Sequence, residues 1–221
     1  MTTRTKRKSS RTIPIPIDGT EFSVWLAPLE AFTEAELLER AQLTDTEQAV
    51  FETFPEATGR SGGQRRREWL GTRMLVCEEL GGRISYTPQG RPRLVSPSTK
   101  QDISISHTTG WAAVAASTAG QCGIDIERID RDASRAAARI AAPGELAAAA
   151  RIFPSRPALW LWCAKEAAYK AAGGPETDFA RDIRLESPSV AQPLIMTVET
   201  VRVILASFVY EELLGVCGLV E

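Results

Sequence analysis

The sequence predicts a mixed fold of α-helices and antiparallel β-strands. Two long segments with apolar residues at helical spacing, each followed by paired glycines, support the helices, and short runs of alternating apolar and polar residues support the strands. A chain of 221 residues accommodates one large domain or two small ones. Its 43% apolar and 24% charged residues are typical of a soluble globular protein. No apolar run is long enough to cross a bilayer, so we expect no membrane partner.

Charge is uneven along the chain. Five basic residues precede the first acidic residue, Asp18, and the remainder carries 21 basic and 28 acidic residues. We predict that residues 1–20 form a flexible basic tail, which lacks the apolar segment of a secretory signal. Its composition also suits a transit peptide or a nucleic-acid arm, but a disordered cytoplasmic terminus is favoured. The acidic body argues against a general nucleic-acid binder, since that function needs a positive surface.

The first elements are a strand and two short helices. Residues 22–26 predict the strand. Thr33 with Glu36, and Thr44 with Glu47, have the spacing of capping boxes, in which a threonine and a glutamate three residues later satisfy the free N–H groups of a helix start. They predict two helices, over residues 35–42 and from Thr44 to Phe54.

A long helix follows over residues 64–80, after a flexible loop at Gly59, Gly62 and Gly63, and it ends at Gly81 and Gly82. Arg65 and Arg73 lie eight residues apart and project from one broad side of this helix. Arginines in this arrangement suit a phosphate site or an ordinary solvated basic face.

Three strands and a hairpin are predicted next. The hairpin covers residues 83–95, with Pro88–Pro92 at its turn. Residues 103–106, residues 111–117 and a strand that begins at Cys122 then form an antiparallel meander.

The third of these strands carries two carboxylates on one face. Along Cys122–Glu127 the side chains alternate, so Asp125 and Glu127 point the same way, about 7 Å apart. Such a pair grips one hard cation, or it forms the wet acidic face of an edge strand. On this tripeptide alone we favour the second interpretation.

Histidine and cysteine counts limit the chemistry. A single histidine, His107, excludes a His-rich zinc site. The four cysteines have no C-x-x-C spacing and are interpreted as small core residues in a reducing compartment. A metal therefore has to be held by oxygen, which favours Mg²⁺, Mn²⁺ or Ca²⁺.

The second half contains three helices and then four strands. Ala-rich residues 133–150 predict two short helices broken at Pro143 and Gly144, and a long helix covers residues 158–172 and ends at two glycines. The strands are predicted over residues 183–186, 194–199, 201–210 and 214–220.

The long helix places Trp162, Glu166 and Lys170 on one face, four residues apart. Glu166 and Lys170 form an ordinary surface ion pair in the simplest interpretation. In the functional interpretation Glu166 is a third carboxylate that faces Asp125 and Glu127, with Lys165 and Lys170 available to phosphate.

The order of these motifs resembles the 4'-phosphopantetheinyl transferase superfamily, and its larger, single-chain Sfp-type members in particular. The resemblance rests on the strand Gly123–Glu127 followed by the helix Trp162–Lys170. Upstream, Arg67–Arg73, Gly90–Pro92 and Ser104–His107 are similar to further motifs of that family, so the resemblance covers roughly residues 64–186.

The resemblance implies an α+β fold of two similar halves related by a pseudo-two-fold. Each half is a small antiparallel sheet packed with a long helix, and coenzyme A binds in the cleft between them. After the tail, the halves are expected at residues 21–118 and 119–221.

The resemblance also implies a reaction, in which 4'-phosphopantetheine moves from coenzyme A to a serine of an acyl or peptidyl carrier protein. The implied ligands of Mg²⁺, with Mn²⁺ as an alternative, are Asp125, Glu127 and Glu166, and the implied catalytic residues are Asp125, Glu166 and Lys170. Coenzyme A would be contacted by Arg65, Arg73, Gly90, Arg91, Ser106, His107, Lys165 and Lys170. The group that takes the serine proton is left open by the resemblance, with Glu166 as one candidate and a metal-bound water as another.

The expected partners are coenzyme A and a carrier protein, with no nucleic acid, in a cytoplasmic monomer. Because carrier proteins are acidic, a basic patch at Arg60 and residues 65–67 is expected to recruit them. Three other interpretations stay open: a different Mg²⁺-dependent phosphoryl transferase, a binding module without turnover, and a nucleic-acid binder that uses the tail. The first is disfavoured because the chain has no Gly-rich phosphate loop ending in Lys-Ser/Thr.

Overall fold

The computed structural model describes residues 11–14, 22–55, 60–174, 176–186 and 193–221. Its strands are β1 (Arg11–Pro14), β2 (Phe22–Pro28), β3 (Arg83–Tyr86), β4 (Pro92–Val95), β5 (Asp102–Thr108), β6 (Trp111–Ser117), β7 (Cys122–Arg128), β8 (Ile183–Glu186), β9 (Leu194–Val198), β10 (Val201–Tyr210) and β11 (Leu213–Val220). Its helices are α1 (Glu34–Ala41), α2 (Asp45–Glu52), α3 (Arg60–Leu80), α4 (Ser134–Ile140), α5 (Glu145–Ile152) and α6 (Pro157–Ala171), with a short 3-10 helix at Leu29–Ala31.

Two antiparallel sheets, each covered by a long helix, form the α+β fold that the sequence predicted. The first sheet has the order β1-β2-β6-β5 and the second the order β7-β11-β10-β9-β8, while β3 and β4 pair as a separate hairpin. Helix α3 packs on the first sheet and α6 on the second. The pseudo-two-fold between the halves and the boundary at residues 118–119 stay predictions.

The sheets pack face to face because both faces of their central strands are apolar. On β6, Val114 points toward α3, whereas Ala113 and Ala115 point toward the second sheet. Ile124 and Ile126 of β7 complete this inner layer. The side chains of β7 that point away from it face α6, and these include the two carboxylates.

Local sequence signals produce the helix starts as predicted. The backbone N–H of Glu36 donates to the hydroxyl of Thr33 over 3.2 Å, and the N–H of Thr33 donates to the Glu36 carboxylate over 2.6 Å. Thr44 and Glu47 form the same reciprocal pair at α2. All the predicted helices and strands are present, within a few residues of the expected bounds.

The predicted meander is wrong at its third strand. β5 pairs with β6 as expected, but β7 crosses to the second sheet and pairs with β11, so that Asp125 lies opposite Val216. The turn at residues 118–121 makes this crossing. Alternation of apolar residues predicts a strand but carries no information about its partner, and burial of Ile124 between the two sheets decides the pairing.

Two predictions about flexible segments also need correction. Within the expected tail, Arg11–Pro14 forms β1 and pairs with β2, which satisfies backbone groups on the edge of that strand. The rest of residues 1–20 lies outside the described residues. Gly62 and Gly63 belong to α3, which begins at Arg60, and Gly59 is not described. A helix tolerates glycine at about 1 kcal/mol each relative to alanine.

Most of the cysteines lie in the core, as the sequence predicted. All four cysteines are free, and three of them, Cys122, Cys163 and Cys217, are buried. Burial raises the pKa of each of these three thiols, which makes them unreactive core residues. In the described part of the chain, no helix is long and apolar enough to cross a membrane.

Gly123 sets the distance between β7 and α6, and its replacement by alanine is expected to destabilise the fold by about 3 kcal/mol. A Cβ at this position would lie 2.0 Å from the carbonyl oxygen of Ala167 and 2.6 Å from the backbone nitrogen of Ala171. Gly120→Ala is the control, because its Cβ would meet nothing closer than 3.4 Å. Urea unfolding of both variants measures the difference, and equal stability would show that α6 is not held at this distance.

Candidate active site

The candidate site lies between β7 and the last turns of α6. Strand alternation turns Gly123, Asp125 and Glu127 toward the helix, as the sequence predicted, and the missing side chain of Gly123 lets α6 approach closely. Helical spacing brings Glu166 and Lys170 to the same region of α6.

Asp125 is the best defined carboxylate of the site. It is only 6% exposed, and its Oδ1 accepts hydrogen bonds from Lys170 Nζ at 2.8 Å and from Ser106 Oγ at 3.1 Å. Its other oxygen, Oδ2, is buried and lacks a hydrogen-bond partner among the described residues. A buried carboxylate oxygen without a partner is costly, so this atom is poised to bind a cation or a donor.

Lys170 holds its ammonium group against β7. Besides Asp125, it donates to the carbonyl oxygen of Ile124 over 3.0 Å, and the hydroxyl of Ser106 lies at 3.5 Å. The side chain is 26% exposed, so its positive charge also reaches the open side of the site. The lysine is therefore both fixed in place and available to an anionic ligand.

Glu166 lies one helical turn before Lys170 and is partly buried. Burial raises the pKa of its carboxyl group, and the negative charge of Asp125 raises it further, whereas the positive charges of Lys170 and Arg131 act in the opposite direction. The carboxylate thus lies within the electrostatic reach of Asp125 and is more basic than an exposed glutamate.

Glu127 is already neutralised by a residue of the chain itself. Its Oε1 forms an ion pair with the guanidinium of Arg131, and its Oε2 accepts a hydrogen bond from Thr108 over 3.1 Å. Arg131 also lies over the ring of Trp162, 5.2 Å from its centre.

These contacts explain why the predicted set of three metal ligands is not assembled. No three His, Cys, Asp or Glu side chains within the described ranges are grouped closely enough to hold a metal ion. Two internal cations intervene, Lys170 at Asp125 and Arg131 at Glu127. The donor chemistry nevertheless fits a hard divalent cation, because all three groups are carboxylates and Asp125 Oδ2 has an unused lone pair.

The two sheets meet at this site through side chains. The N–H groups of Ile124 and Ile126 on β7 donate to the hydroxyls of Ser104 and Ser106 on β5, over 3.1 and 3.2 Å. The N–H of Cys122 donates in the same way to Asp102 Oδ2 over 2.8 Å. On this edge of β7, side-chain oxygens of alternate β5 residues thus accept the hydrogen bonds that the carbonyl oxygens of a neighbouring strand would otherwise accept.

Ser106 and His107, which were both expected to contact coenzyme A, point to opposite faces of β5, because consecutive residues of a strand alternate. Ser106 is buried, and its hydroxyl is engaged by Ile126 and Asp125. His107 is 53% exposed and lies on the side of α3, where its Nδ1 is 3.1 Å from Glu68 Oε2.

The guanidinium of Arg91 forms hydrogen bonds within the protein and does not point toward solvent. Its guanidinium donates to Asp102 Oδ2 over 2.5 Å, to the carbonyl oxygen of Cys122 over 3.3 Å, and to the carbonyl oxygens of Lys170 and Ala171 at the end of α6. A lysine has no planar fork with which to bridge so many acceptors. Arg91 therefore fixes the last turn of α6, and with it Lys170.

A groove of about 290 Å³ opens beside Arg91 and Lys170. Its walls come from the β3–β4 hairpin, from β5 and from the end of α6, and its lining includes Tyr86, Gly90, Ser104, Tyr169, Lys170 and Gly174. Gly90 has a φ of +83°, a left-handed conformation that favours glycine, and a Cβ there would meet no atom within 4 Å. Lys170 is thus part of the groove wall.

Lys165 was predicted to contact phosphate, but the structure places it in the core. Its side chain is fully buried, and its Nζ donates to the carbonyl oxygens of Ile140, Phe179 and Ile183 over 2.7 to 2.8 Å. The ammonium also pairs with Glu145 at 2.8 Å. With its hydrogen-bonding capacity used internally, Lys165 holds α6 against the α4–α5 connection and the start of β8.

The predicted arginines of α3 also have structural partners. Arg73 is 6% exposed, pairs with Glu47 at 3.1 Å and stacks on Trp69, so it is not available to coenzyme A. Arg65 is exposed beside Phe54 and stays available. The expected basic patch is smaller than predicted, since Arg66 pairs with Glu34 and Arg67 donates to two carbonyl oxygens. The side chain of Arg60 lies outside the described residues.

Sequence reasoning missed Arg131, Thr108, Asp102 and Glu145. Arg131 follows Glu127 by four residues. This spacing brings two side chains together in a helix, but Glu127 lies in a strand and Arg131 in the turn after it, so the spacing did not predict their contact. Thr108 continues the alternation of Ser104 and Ser106, which was a usable signal. Asp102 and Glu145 pair with residues that are distant in the sequence, so no local sequence pattern predicts these contacts.

Fold and site together define a class of protein. Carboxylates and a lysine that face each other at the end of a groove suit an enzyme that handles a phosphate-containing substrate, because charge neutralisation dominates such chemistry. Residues 121–211 match the family model of the 4'-phosphopantetheinyl transferase superfamily. This match agrees with the family that the motifs predicted; it covers less than half of the chain, and its range includes Asp125, Glu127, Glu166 and Lys170. The upstream motifs lie outside it. A search among curated proteins finds no match for the chain.

Lys165→Met is expected to lower the free energy of unfolding by about 3 to 5 kcal/mol, because it leaves Glu145 buried without a counter-ion. The double variant Lys165→Met/Glu145→Gln removes both charges and should recover a large part of that loss. Chemical denaturation of the wild type, both single variants and the double variant gives the coupling. Strictly additive losses would show that the two residues do not act as a pair.

Glu166→Gln is expected to raise the melting temperature at pH 7.5, without divalent cations, by about 2 °C. Burial raises the folded-state pKa of Glu166, so the wild type loses stability as the pH rises through that pKa, and the glutamine does not. The gain should shrink toward pH 4. Glu212→Gln is the control of opposite sign, because the hydrogen bond from Trp111 lowers the pKa of Glu212. Calorimetry at several pH values checks both, and a gain for Glu166→Gln that does not depend on pH would contradict the assignment.

Proposed function

We propose that this protein transfers 4'-phosphopantetheine from coenzyme A to a serine of an acyl or peptidyl carrier protein, as a larger Sfp-type member of its superfamily. The observation that carries the proposal is the ion pair of the buried Asp125 with Lys170: its Oδ2 has no hydrogen-bond partner among the described residues, and Asp125 lies within electrostatic reach of Glu166. The family match supports the proposal because it covers these same residues.

The groove beside Arg91 is our candidate for the nucleotide end of coenzyme A. Its glycines, Gly90 and Gly174, leave the backbone accessible, and Tyr86 and Tyr169 offer aromatic surface for an adenine ring. Because Lys170 lines the groove and pairs with Asp125, a ligand whose phosphates contact Lys170 would bring them toward the carboxylates of β7. Arg91 would help by holding that end of α6 in place.

The carboxylates would hold Mg²⁺, with Mn²⁺ as an alternative. Asp125 and Glu166 are available, and Glu127 would join them once Arg131 has left. When bound, the cation would neutralise the negative charge of the pyrophosphate. Hard oxygen donors of this kind suit Mg²⁺, which keeps several of its waters.

The chain's own residues would perform the remaining steps. The serine oxygen of the carrier protein attacks the phosphorus that bears pantetheine, and the bond from that phosphorus to the bridging oxygen breaks, which releases 3',5'-ADP. Lys170 stabilises the charge that develops on the phosphate oxygens. Glu166 is our candidate to accept the serine proton, because burial makes its carboxylate a stronger base.

Location and assembly follow from the same proposal. We propose a cytoplasmic protein, since three buried free thiols suit a reducing compartment. Action as a monomer stays a prediction of the resemblance. Among the described side chains of the expected basic patch, Arg65 is the exposed one, and it would meet an acidic carrier protein.

Intact-mass spectrometry tests the reaction directly. An apo carrier protein incubated with this protein, coenzyme A and Mg²⁺ should gain one phosphopantetheine, and EDTA should prevent the gain. Asp125→Asn and Glu166→Gln should slow the transfer at least about 100-fold. The matched control is Asp130→Asn, a 71% exposed aspartate in the turn after β7, which should keep the wild-type rate. Full activity of both site variants would overturn the site, and no transfer to carriers of several pathways would overturn the function.

A further inference from the structure

Arg131 occupies a place where a metal cation would neutralise Glu127. It lies in the turn after β7, and its guanidinium pairs with Glu127 Oε1 while resting on the ring of Trp162. Trp162 and Glu166 lie on the same face of α6, four residues apart, so Arg131 stands between the acidic strand and the acidic position of the helix.

The two internal cations of the site are held differently. The ammonium of Lys170 has two acceptors within 3.0 Å and is 26% exposed. The side chain of Arg131 is 38% exposed, whereas that of Glu127 is only 12% exposed. A partly exposed arginine gives up an ion pair at small cost, because water solvates the released guanidinium. Arg131 is thus the cation that an incoming ion displaces, and Lys170 is the one that stays.

We propose that Arg131 is a built-in competitor of the divalent cation: it neutralises Glu127 when no cation is bound and must leave this carboxylate before the cation is bound by all three acidic residues. The inference rests on the proposed function, from which it takes the divalent cation. It explains why the three carboxylates are not grouped in the structure although their donor chemistry fits. Arg131 therefore sets the affinity of the site for the cation.

Binding of Mn²⁺ to the full chain without coenzyme A tests this proposal, with free Mn²⁺ measured by electron paramagnetic resonance. Arg131→Gln should bind Mn²⁺ about tenfold more tightly than the wild type, because one positive charge beside the site is removed. The control is Arg128→Gln, which loses the same charge three residues away, where Arg128 pairs with Asp130 and Glu212. Its affinity should stay within about twofold of the wild type, in keeping with the weak effect of exposed pairs.

The double variant Glu127→Gln/Arg131→Gln shows whether the effect passes through Glu127. In the Glu127→Gln background, removal of Arg131 should change the affinity much less than in the wild type. An affinity of Arg131→Gln equal to or weaker than the wild type overturns the proposal, as does an equal gain in Arg128→Gln. If no variant binds Mn²⁺, the cation site itself fails, and the separate mass assay shows whether phosphopantetheine transfer fails with it.

Discussion

The structure depends on the way in which β5 completes the edge of β7. Three backbone N–H groups of β7 face the first sheet, and buried donors without partners would each cost a few kcal/mol. Asp102, Ser104 and Ser106 of β5 accept them, each from the residue 20 positions later in the sequence. Two of these acceptors do more, since Ser106 also binds Asp125 and Asp102 also binds Arg91. The same contacts that join the sheets therefore orient the site.

Two lysines of α6 differ in burial, and this difference decides which of them is available to a ligand. Lys165 and Lys170 lie five residues apart on one helix and each pairs with an acidic residue. Lys165 faces the core, where three carbonyl oxygens and Glu145 take up its charge, and burial lowers the pKa of its ammonium group. Lys170 faces the groove and keeps part of its surface in contact with solvent. Only the second arrangement leaves a positive charge for a ligand.

Positive side chains of the protein itself neutralise the carboxylates of the candidate site. Asp125, Glu127 and Glu166 would repel one another if they were brought together without cations; burial is the main cause of the raised pKa of Glu166, and the negative charge of Asp125 adds to it. Lys170 and Arg131 relieve that repulsion. The chain's own positive charges thus stabilise these carboxylates, which stay apart from one another in the structure.

Local features of the sequence determined the secondary structure and part of the site. Reciprocal caps at Thr33 and Thr44 need only neighbouring residues, and strand alternation places Asp125 and Glu127 on one face wherever the strand packs. The tertiary structure alone decided that β7 joins β11, that Lys165 is buried and that Arg91 caps α6. Helix α6 is buried on almost every side, so its spacing does not reveal which face meets the groove. These outcomes depend on partners tens of residues away, because burial and charge pairing are properties of the folded chain.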